Sequence, residues 1–238
     1  MAGTLFLVPA WLSEDASADD SVPAAALARI RSLEVFIAEN AKSARAFLAA
    51  CRHPRPLREL TIVELSEHTP AQEIARLLRP LLDGVDAGLM SEAGMPAIAD
   101  PGAALVAAAH AAAIRVVPLV GPSSIVLALA ASGLEGQRFR FVGYLPAESA
   151  ARRTAIADLE KQSARARETQ VFIETPYRND ALLADLVRVC APSTRLAVAA
   201  ELTSPREWIR MQPVDAWRRD TPAIGKRPAI FLLLAEVR

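Results

Sequence analysis

Aromatic side chains make up 5% of this 238-residue chain, and cysteine occurs twice, at Cys51 and Cys190. So few aromatics leave a core of Ala, Val, Leu and Ile, the usual filling of parallel strands buried under helices. Two cysteines so far apart give neither a disulfide framework nor metal-ligand spacing, and both read as buried small hydrophobes in a reduced, cytosolic setting. An excess of either charge is missing too. Lys and Arg total 27, as do Asp and Glu. The basic excess of a dedicated nucleic-acid binder is therefore absent, while a local basic patch stays open. No apolar run reaches the ~18 residues of a membrane span, and the alanine-rich stretch 103–113 is interrupted by His110. The opening residues, MAGTLFLVPAW, lack a basic leader region and read as a strand, not a signal peptide. No GxGxxG follows that strand and no Walker A loop occurs, which removes two common nucleotide-site fingerprints. A Ser-His-Asp pattern, a Cys-His pair and metal-site spacing are also missing.

What is present is an alternation. Apolar, β-rich runs at 4–8, 33–38, 60–65, 85–90 and 114–119 alternate with helical segments at 23–32, 43–51, 70–82 and 103–113. Ile74, Leu77, Leu78 and Leu81 show the helical spacing most clearly. Residues 13–22 are acidic and aperiodic and read as a loop. Beyond residue 120, Gly121-Pro122-Ser123-Ser124 signals the start of a helix over 125–131, which Gly133 ends. Strands follow at 139–145, 170–174, 196–200 and 208–211, with helices at 151–167 and 214–218. The closing run 229–234 is apolar enough to be a central strand. This alternation predicts an α/β fold, a mostly parallel sheet with helices on both faces, and the length allows one large domain or two of about 120 residues each.

The chemistry concentrates at residues 91–102, SEAGMPAIADPG, between a strand and a helix. Two glycines free the backbone, two prolines stiffen it, and Glu92 places a carboxylate just past a strand's carboxyl end, where open parallel sheets bind ligands. The alternative is a rigid strand-to-helix turn with no ligand. The serines of Gly121-Pro122-Ser123-Ser124 either cap a helix or face a ligand. Arg152, Arg153, Lys161, Arg165 and Arg167 form the one local basic concentration, either a solvated helix face or a surface that meets phosphates. Glu174 and Arg178, four apart, can simply pair. Thr175 can cap a helix beginning at Pro176, or stand with Tyr177 at a cleft. Glu39 and His68 each follow a strand end. His110 reads as structural.

SEAGMPAIADPG, LVGPSS, ASGL, GYLP, ETPYR and AELT occur in one fixed order. Together they resemble the tetrapyrrole-methylase-like superfamily of S-adenosylmethionine (SAM) dependent methyltransferases, near the branch that methylates a cytidine 2′-hydroxyl of small-subunit ribosomal RNA. The resemblance implies two α/β domains with mostly parallel sheets, residues 1–119 and 120–238, SAM in the cleft between them, a homodimer and no metal; the cytoplasmic location expected is the one the cysteines suggest. By position, it assigns cofactor binding to Pro9, Ala10, Glu92, Gly94, Met95, Ser123, Ser124, Thr175, Ala200, Pro228 and Ala229. Glu39, His68, Tyr177 and Arg178 are the candidate substrate contacts, and no catalytic residue is assigned. The chain departs from the RNA-modifying branch at Ala10-Trp11-Leu12-Ser13-Glu14, where that branch carries a glycine. It also has Glu92 and Met95 in place of aspartate and threonine. Three functions are compatible with this: methylation of RNA, methylation of a small molecule such as a tetrapyrrole, and non-catalytic ligand binding on the same fold.

Overall fold

A computed structural model describes residues 2–13 and 15–236; Met1, Glu14, Val237 and Arg238, named in the sequence reading or closing the chain, lie outside the described residues. The chain forms two compact units, Met1–Ser123 and Ser124–Arg238.

The first unit carries β1 (Thr4–Val8), α1 (Ala18–Ser21), α2 (Ala24–Ser32), β2 (Val35–Ala38), α3 (Ala41–Ala50), β3 (Thr61–Glu64), α4 (Ala71–Leu77), α5 (Arg79–Leu82), β4 (Ala87–Met90), α6 (Ala103–Ala111) and β5 (Arg115–Pro118). Its strands pair parallel throughout, in the order β3-β2-β4-β1-β5. Side chains alternate across the pleat. Phe6, Phe36 and Met90 therefore join Leu27, Ile30, Phe47 and Leu48 of α2 and α3 on one face. Leu5, Ile37 and Leu89 join Leu78, Leu81, Leu105 and Ala109 from residues 78–109 on the other. Two expectations change here. The segment 70–82 is two helices, because Pro80 has no N–H to carry the helical ladder onward. The loop expected at 13–22 contains α1, whose first turn is capped by the Ser17 hydroxyl accepting from the Asp19 N–H.

The second unit carries α7 (Ser124–Ser132), β6 (Phe139–Tyr144), α8 (Ser149–Ala166), β7 (Thr169–Ile173), α9 (Asn179–Val189), β8 (Arg195–Ala200), β9 (Trp208–Pro213), α10 (Val214–Arg219) and β10 (Ala229–Leu234). The sheet order is β6-β7-β10-β8-β9. The mostly parallel character expected of both sheets belongs to the first. Here β6 and β7 pair parallel, while β7–β10, β10–β8 and β8–β9 pair antiparallel. The helical crossovers α8 and α9 keep β6, β7 and β8 in one direction. The short connection 201–207 turns β9 back, as a hairpin must, and β10 enters between β7 and β8 in reverse. Every residue of β10 is buried, and the strand lies at the sheet's centre as its apolarity predicts. Phe231 and Leu233 face the cluster formed with α8 and α9. The opposite face lies under α7.

Among the described residues no helix is long and apolar enough to cross a membrane. Cys51 and Cys190 are free and buried, and burial pushes both thiols up to about 12, so neither is a usable nucleophile.

Candidate functional site

In the first unit β1 and β4 are neighbours whose outgoing connections run in opposite directions, β1 toward β2 and β4 toward β5. That is a topological switch point, and its carboxyl end is the ligand crevice of an open α/β sheet. The residues after these two strands are joined there. Ala10 and Gly94 form an isolated antiparallel bridge: the Ala10 N–H donates to the Gly94 carbonyl at 2.9 Å, and the Gly94 N–H to the Ala10 carbonyl at 3.2 Å. These two amides are thus consumed in joining the two loops. Gly121 passes so close to Pro9 that a Cβ on it would sit 2.2 Å from the proline Cγ. A Cβ on Gly94 would lie 3.7 Å from the Pro122 carbonyl oxygen. Residues 9–12, 94 and 121–122 therefore meet at one point. Met95 and Ser123 flank it, both half-buried.

Carboxylates ring this crevice. Glu39, just past β2, accepts the Glu92 N–H at 3.3 Å, and the Glu92 carboxylate accepts the Ser43 hydroxyl at 2.9 Å. Burial raises the Glu39 pKa against the opposing pull of the Glu92 N–H, and the charges of Glu92 and Glu67 add to the rise. Asp100, from the same loop as Glu92, is pushed to about 6 by burial first and then by Glu39, with the Ser91 hydroxyl opposing and Glu92 reinforcing. The 91–102 loop is also strained: Ala97 and Ala99 hold φ of 65° and 66°. Left-handed alanines cost about 1–2 kcal/mol each and persist where the surroundings over-determine them, commonly at ligand clamps.

In the sequence Asp100 is the second acid of the 91–102 loop. Its signal is the pairing of a second acid with Glu92 in one proline-stiffened loop. Its raised pKa has a measurable sign. A carboxyl at about 6 in the folded state, against its ordinary 3.8, favours the protonated form. The cost of ionising it is absent below pH 4, grows from 4 to 6 and is complete above 6. Asp100→Asn should therefore stabilise the protein at pH 8 by about 1 kcal/mol, discounted for solvent screening of a half-buried group, and leave it unchanged at pH 4. Thermal melts at the two pH values test this; equal shifts at both would refute it.

His68 is not drawn in. It is exposed in the turn beyond the edge strand β3 and lies 3.5 Å from Glu67. His53 is bonded to the Leu33 carbonyl. His110, read as structural, is exposed on α6.

In the second unit the structure gathers the remaining candidates at one end of the sheet. Thr175 follows the carboxyl end of β7, and Ala200 closes β8. Ala229 opens β10 directly opposite Ala200, and the Glu201 N–H donates to the Pro228 carbonyl at 2.9 Å. Ser124 opens α7. Thr175 does not cap with its side chain; its hydroxyl donates to Glu174 at 3.3 Å. Arg178 pairs as its spacing allows: its Nε and Nη2 donate to Glu174 Oε1 at 2.9 and 2.6 Å, and that carboxylate is fully buried. Tyr177 is the contrast, 80% exposed. At this same end Glu174 Oε2 and Thr203 Oγ1 are buried with no hydrogen-bond partner among the described residues. Such atoms call for an explanation, and a polar ligand is one.

The basic helix α8 divides. Arg152 is buried, with Nη2 2.6 Å from Asp185 Oδ2, and Arg153 lies 3.5 Å from the same carboxylate, so neither belongs to a free phosphate-meeting face. Lys161 pairs with Asp158. Arg165 and Arg167 are exposed. Among the described residues no group of three His, Cys, Asp or Glu side chains could hold a metal ion.

Two solved methyltransferases share this two-unit fold. The methyltransferase CobJ superposes with a TM-score of 0.64 at 18% identity, over 98% of this chain and 95% of that one. The uroporphyrin-III-C-methyltransferase from Thermus thermophilus gives 0.55 at 20%, over 98% and 93%. That likeness defines the fold class, two α/β units. The chain belongs to the tetrapyrrole (corrin/porphyrin) methylases, whose family model matches residues 17–216, and its methyl donor is SAM. Relatives named ribosomal RNA small subunit methyltransferase I include those of Pseudomonas aeruginosa, 36% identical over 90% of this chain and 71% of that protein, and Neisseria meningitidis, 33% over 87% and 66%. The Escherichia coli O157:H7 protein is 37% identical over 72% and 59%. This chain thus spans between about half and about seven-tenths of the length of such relatives.

The crevice residues fit SAM. Its sulfonium and ammonium are cationic and its ribose hydroxyls need acceptors, and Glu39, Glu92 and Asp100 supply negative charge and acceptor oxygens together. A phosphate would be repelled there, in keeping with the missing phosphate loops.

Proposed function

We propose that this protein transfers a methyl group from SAM to a ribose hydroxyl of small-subunit ribosomal RNA. The observation that carries this reading is the likeness to a protein named ribosomal RNA small subunit methyltransferase I, 36% identical over 90% of the chain; the ribose hydroxyl is the acceptor that the motif resemblance implies. Methylation of a small molecule such as a tetrapyrrole, which the name of one structural neighbour gives for that protein at 20% identity, is the weaker alternative.

In this reading the crevice of the first unit seats the cofactor. Pro9, Ala10, Gly94 and Met95 shape it, Glu92 and Glu39 accept from hydroxyl and ammonium groups, and Ser123 closes it. Ser124, Thr175, Ala200, Pro228 and Ala229 of the second unit are the other residues that the motif resemblance assigns to SAM. SAM brings an activated methyl group, so displacement needs no protein nucleophile. The chain's task is to hold donor and acceptor in line and to exclude water. The reading includes a homodimer, for which the exposed Val126 and Leu127 of α7 offer apolar surface, and a cytoplasmic setting.

Calorimetry should show SAM binding at micromolar affinity, and radiolabelled methyl from SAM should enter small-subunit ribosomal RNA. Light scattering on the same preparation should give twice the chain mass. SAM binding with no label in RNA, and label in a tetrapyrrole instead, would move the acceptor to the alternative. No SAM binding at millimolar concentration would remove the enzyme reading.

A further inference from the structure

We propose that Tyr177 and Lys226 form a nucleobase platform in the second unit: the ring stacks an unpaired base of the acceptor RNA, and the ammonium meets a neighbouring phosphate. This rests on the RNA reading and names the surface that serves it. Tyr177 exposes 80% of its surface, forgoing the burial for which a tyrosine ring is ordinarily kept in a fold. The Lys226 Nζ lies 4.9 Å from the ring centroid, within cation–π range.

The two side chains are flexible, but the backbones that present them are not. Tyr177 sits in the 3₁₀ turn Pro176–Arg178, with Pro176 fixing its start and Arg178 fastened to the buried Glu174 carboxylate. Lys226 sits in the turn leading into β10. The fully buried Asn179 donates from Nδ2 to the carbonyls of Gly225 and Arg227, at 3.0 and 2.7 Å. Asp180 Oδ1 accepts from the N–H groups of Ile224 and Gly225, at 2.6 and 3.0 Å. The residues that follow Tyr177 thus clamp the turn that carries Lys226. A fold that only had to connect α10 to β10 has no need to tie that connection to the start of α9.

Charge and position agree with the assignment. The nearby acids are spoken for: Glu174 by Arg178, Asp180 by two backbone amides, and Glu201 by Arg206 at 3.0 Å. Arg227 extends the cationic side, stacking over Trp208 at 5.4 Å. Tyr177 is two residues beyond Thr175, and Lys226 two before Pro228, so a base held here lies beside the strand ends assigned to the cofactor. An aromatic face with an adjacent cation is how proteins hold unpaired bases, which stack on the ring while the backbone phosphate is neutralised.

The test uses the full chain and the variants Tyr177→Ala, Tyr177→Phe and Lys226→Ala, each checked for an unchanged melting temperature. Fluorescence anisotropy with a single-stranded oligoribonucleotide of small-subunit sequence reads RNA affinity, calorimetry reads SAM affinity, and methyl incorporation reads KM for RNA. Tyr177→Ala should weaken RNA binding and raise the RNA KM by about tenfold to a hundredfold, while Tyr177→Phe keeps both near wild type and SAM affinity stays unchanged. Lys226→Ala should weaken RNA binding and flatten its salt dependence by about one unit of slope. If the wild type methylates RNA and Tyr177→Ala does so with the same KM, the platform is wrong and the RNA reading stands. If Tyr177→Ala loses SAM affinity in proportion, the ring belongs to the cofactor site and the platform is again wrong. A wild type that binds SAM but neither binds nor methylates RNA overturns both readings.

Discussion

Gly94→Val should weaken SAM binding by at least a hundredfold, about 3 kcal/mol, in a protein that remains folded. Gly94 holds φ at +71°, and a Cβ there would lie 3.2 Å from Leu12 Cδ2 and 3.7 Å from the Pro122 carbonyl oxygen. A β-branched residue in the left-handed region is a severe outlier. To escape it the loop must rotate, and rotation breaks the reciprocal pair of hydrogen bonds with Ala10. That bridge is what holds the loop carrying Glu92, Met95 and Asp100 against the end of β1. The two clusters that fill the faces of the sheet do not include Gly94, so the unit should survive with a melting temperature a few degrees lower. Gly94→Ala, with strain of about 1 kcal/mol and no branch, should lose about tenfold. Calorimetry on the three proteins orders them. Wild-type affinity in Gly94→Val would mean that SAM sits elsewhere.

The Glu39–Glu92 contact shows where reading the sequence stops. Each acid is legible alone as a carboxylate past a strand end. Their meeting, across 53 residues of sequence, is not, because it depends on β2 and β4 lying side by side, with β1 inserted from the start of the chain on the other side of β4. Spacing does reveal local pairs: Glu174 and Arg178, four apart, join as their separation allows. The runs 4–8 and 229–234 coincide with β1 and β10 because a continuous apolar, β-rich stretch is itself the signature of a buried strand. Strand direction in the second sheet has no such signature. It is set by connection length and by where β10 finds room, and an apolar strand reads the same either way. Ala97 and Ala99 carry no hint of their positive φ, since alanine enters that region only under constraint from the surrounding fold. The six ordered motifs marked residues at both candidate sites, and left to the structure which amides are already spent and which side chains stand free.

Arg152→Ala should lower the melting temperature by about 10 °C or more, the largest stability loss expected of any basic residue on α8. Five basic residues on and beside that helix look alike in the sequence, and the structure gives them opposite roles. The side chains of Arg152 and Asp185 are 5% and 10% exposed. Arg152 donates through Nε to Asp185 at 2.8 Å and through Nη1 to the Ala147 carbonyl at 2.9 Å, so its fork joins the start of α8 to α9. Removing it strands a buried carboxylate with only Arg153, at 3.5 Å, and the Ser149 hydroxyl, at 3.3 Å. Breaking a buried pair in this way costs about 3–5 kcal/mol, which in a unit of this size is about 10–30 °C. Replacing both partners with apolar residues, as in Arg152→Met with Asp185→Leu, should recover most of the loss, because no charge is then left unpaired. Arg165→Ala and Arg167→Ala, on exposed side chains, should each change stability by less than about 0.5 kcal/mol. If α8 meets RNA at all, those two variants and not Arg152→Ala should lower RNA affinity at unchanged stability. A melting temperature for Arg152→Ala within about 2 °C of wild type would show that the Arg152–Asp185 pair does not hold these helices together.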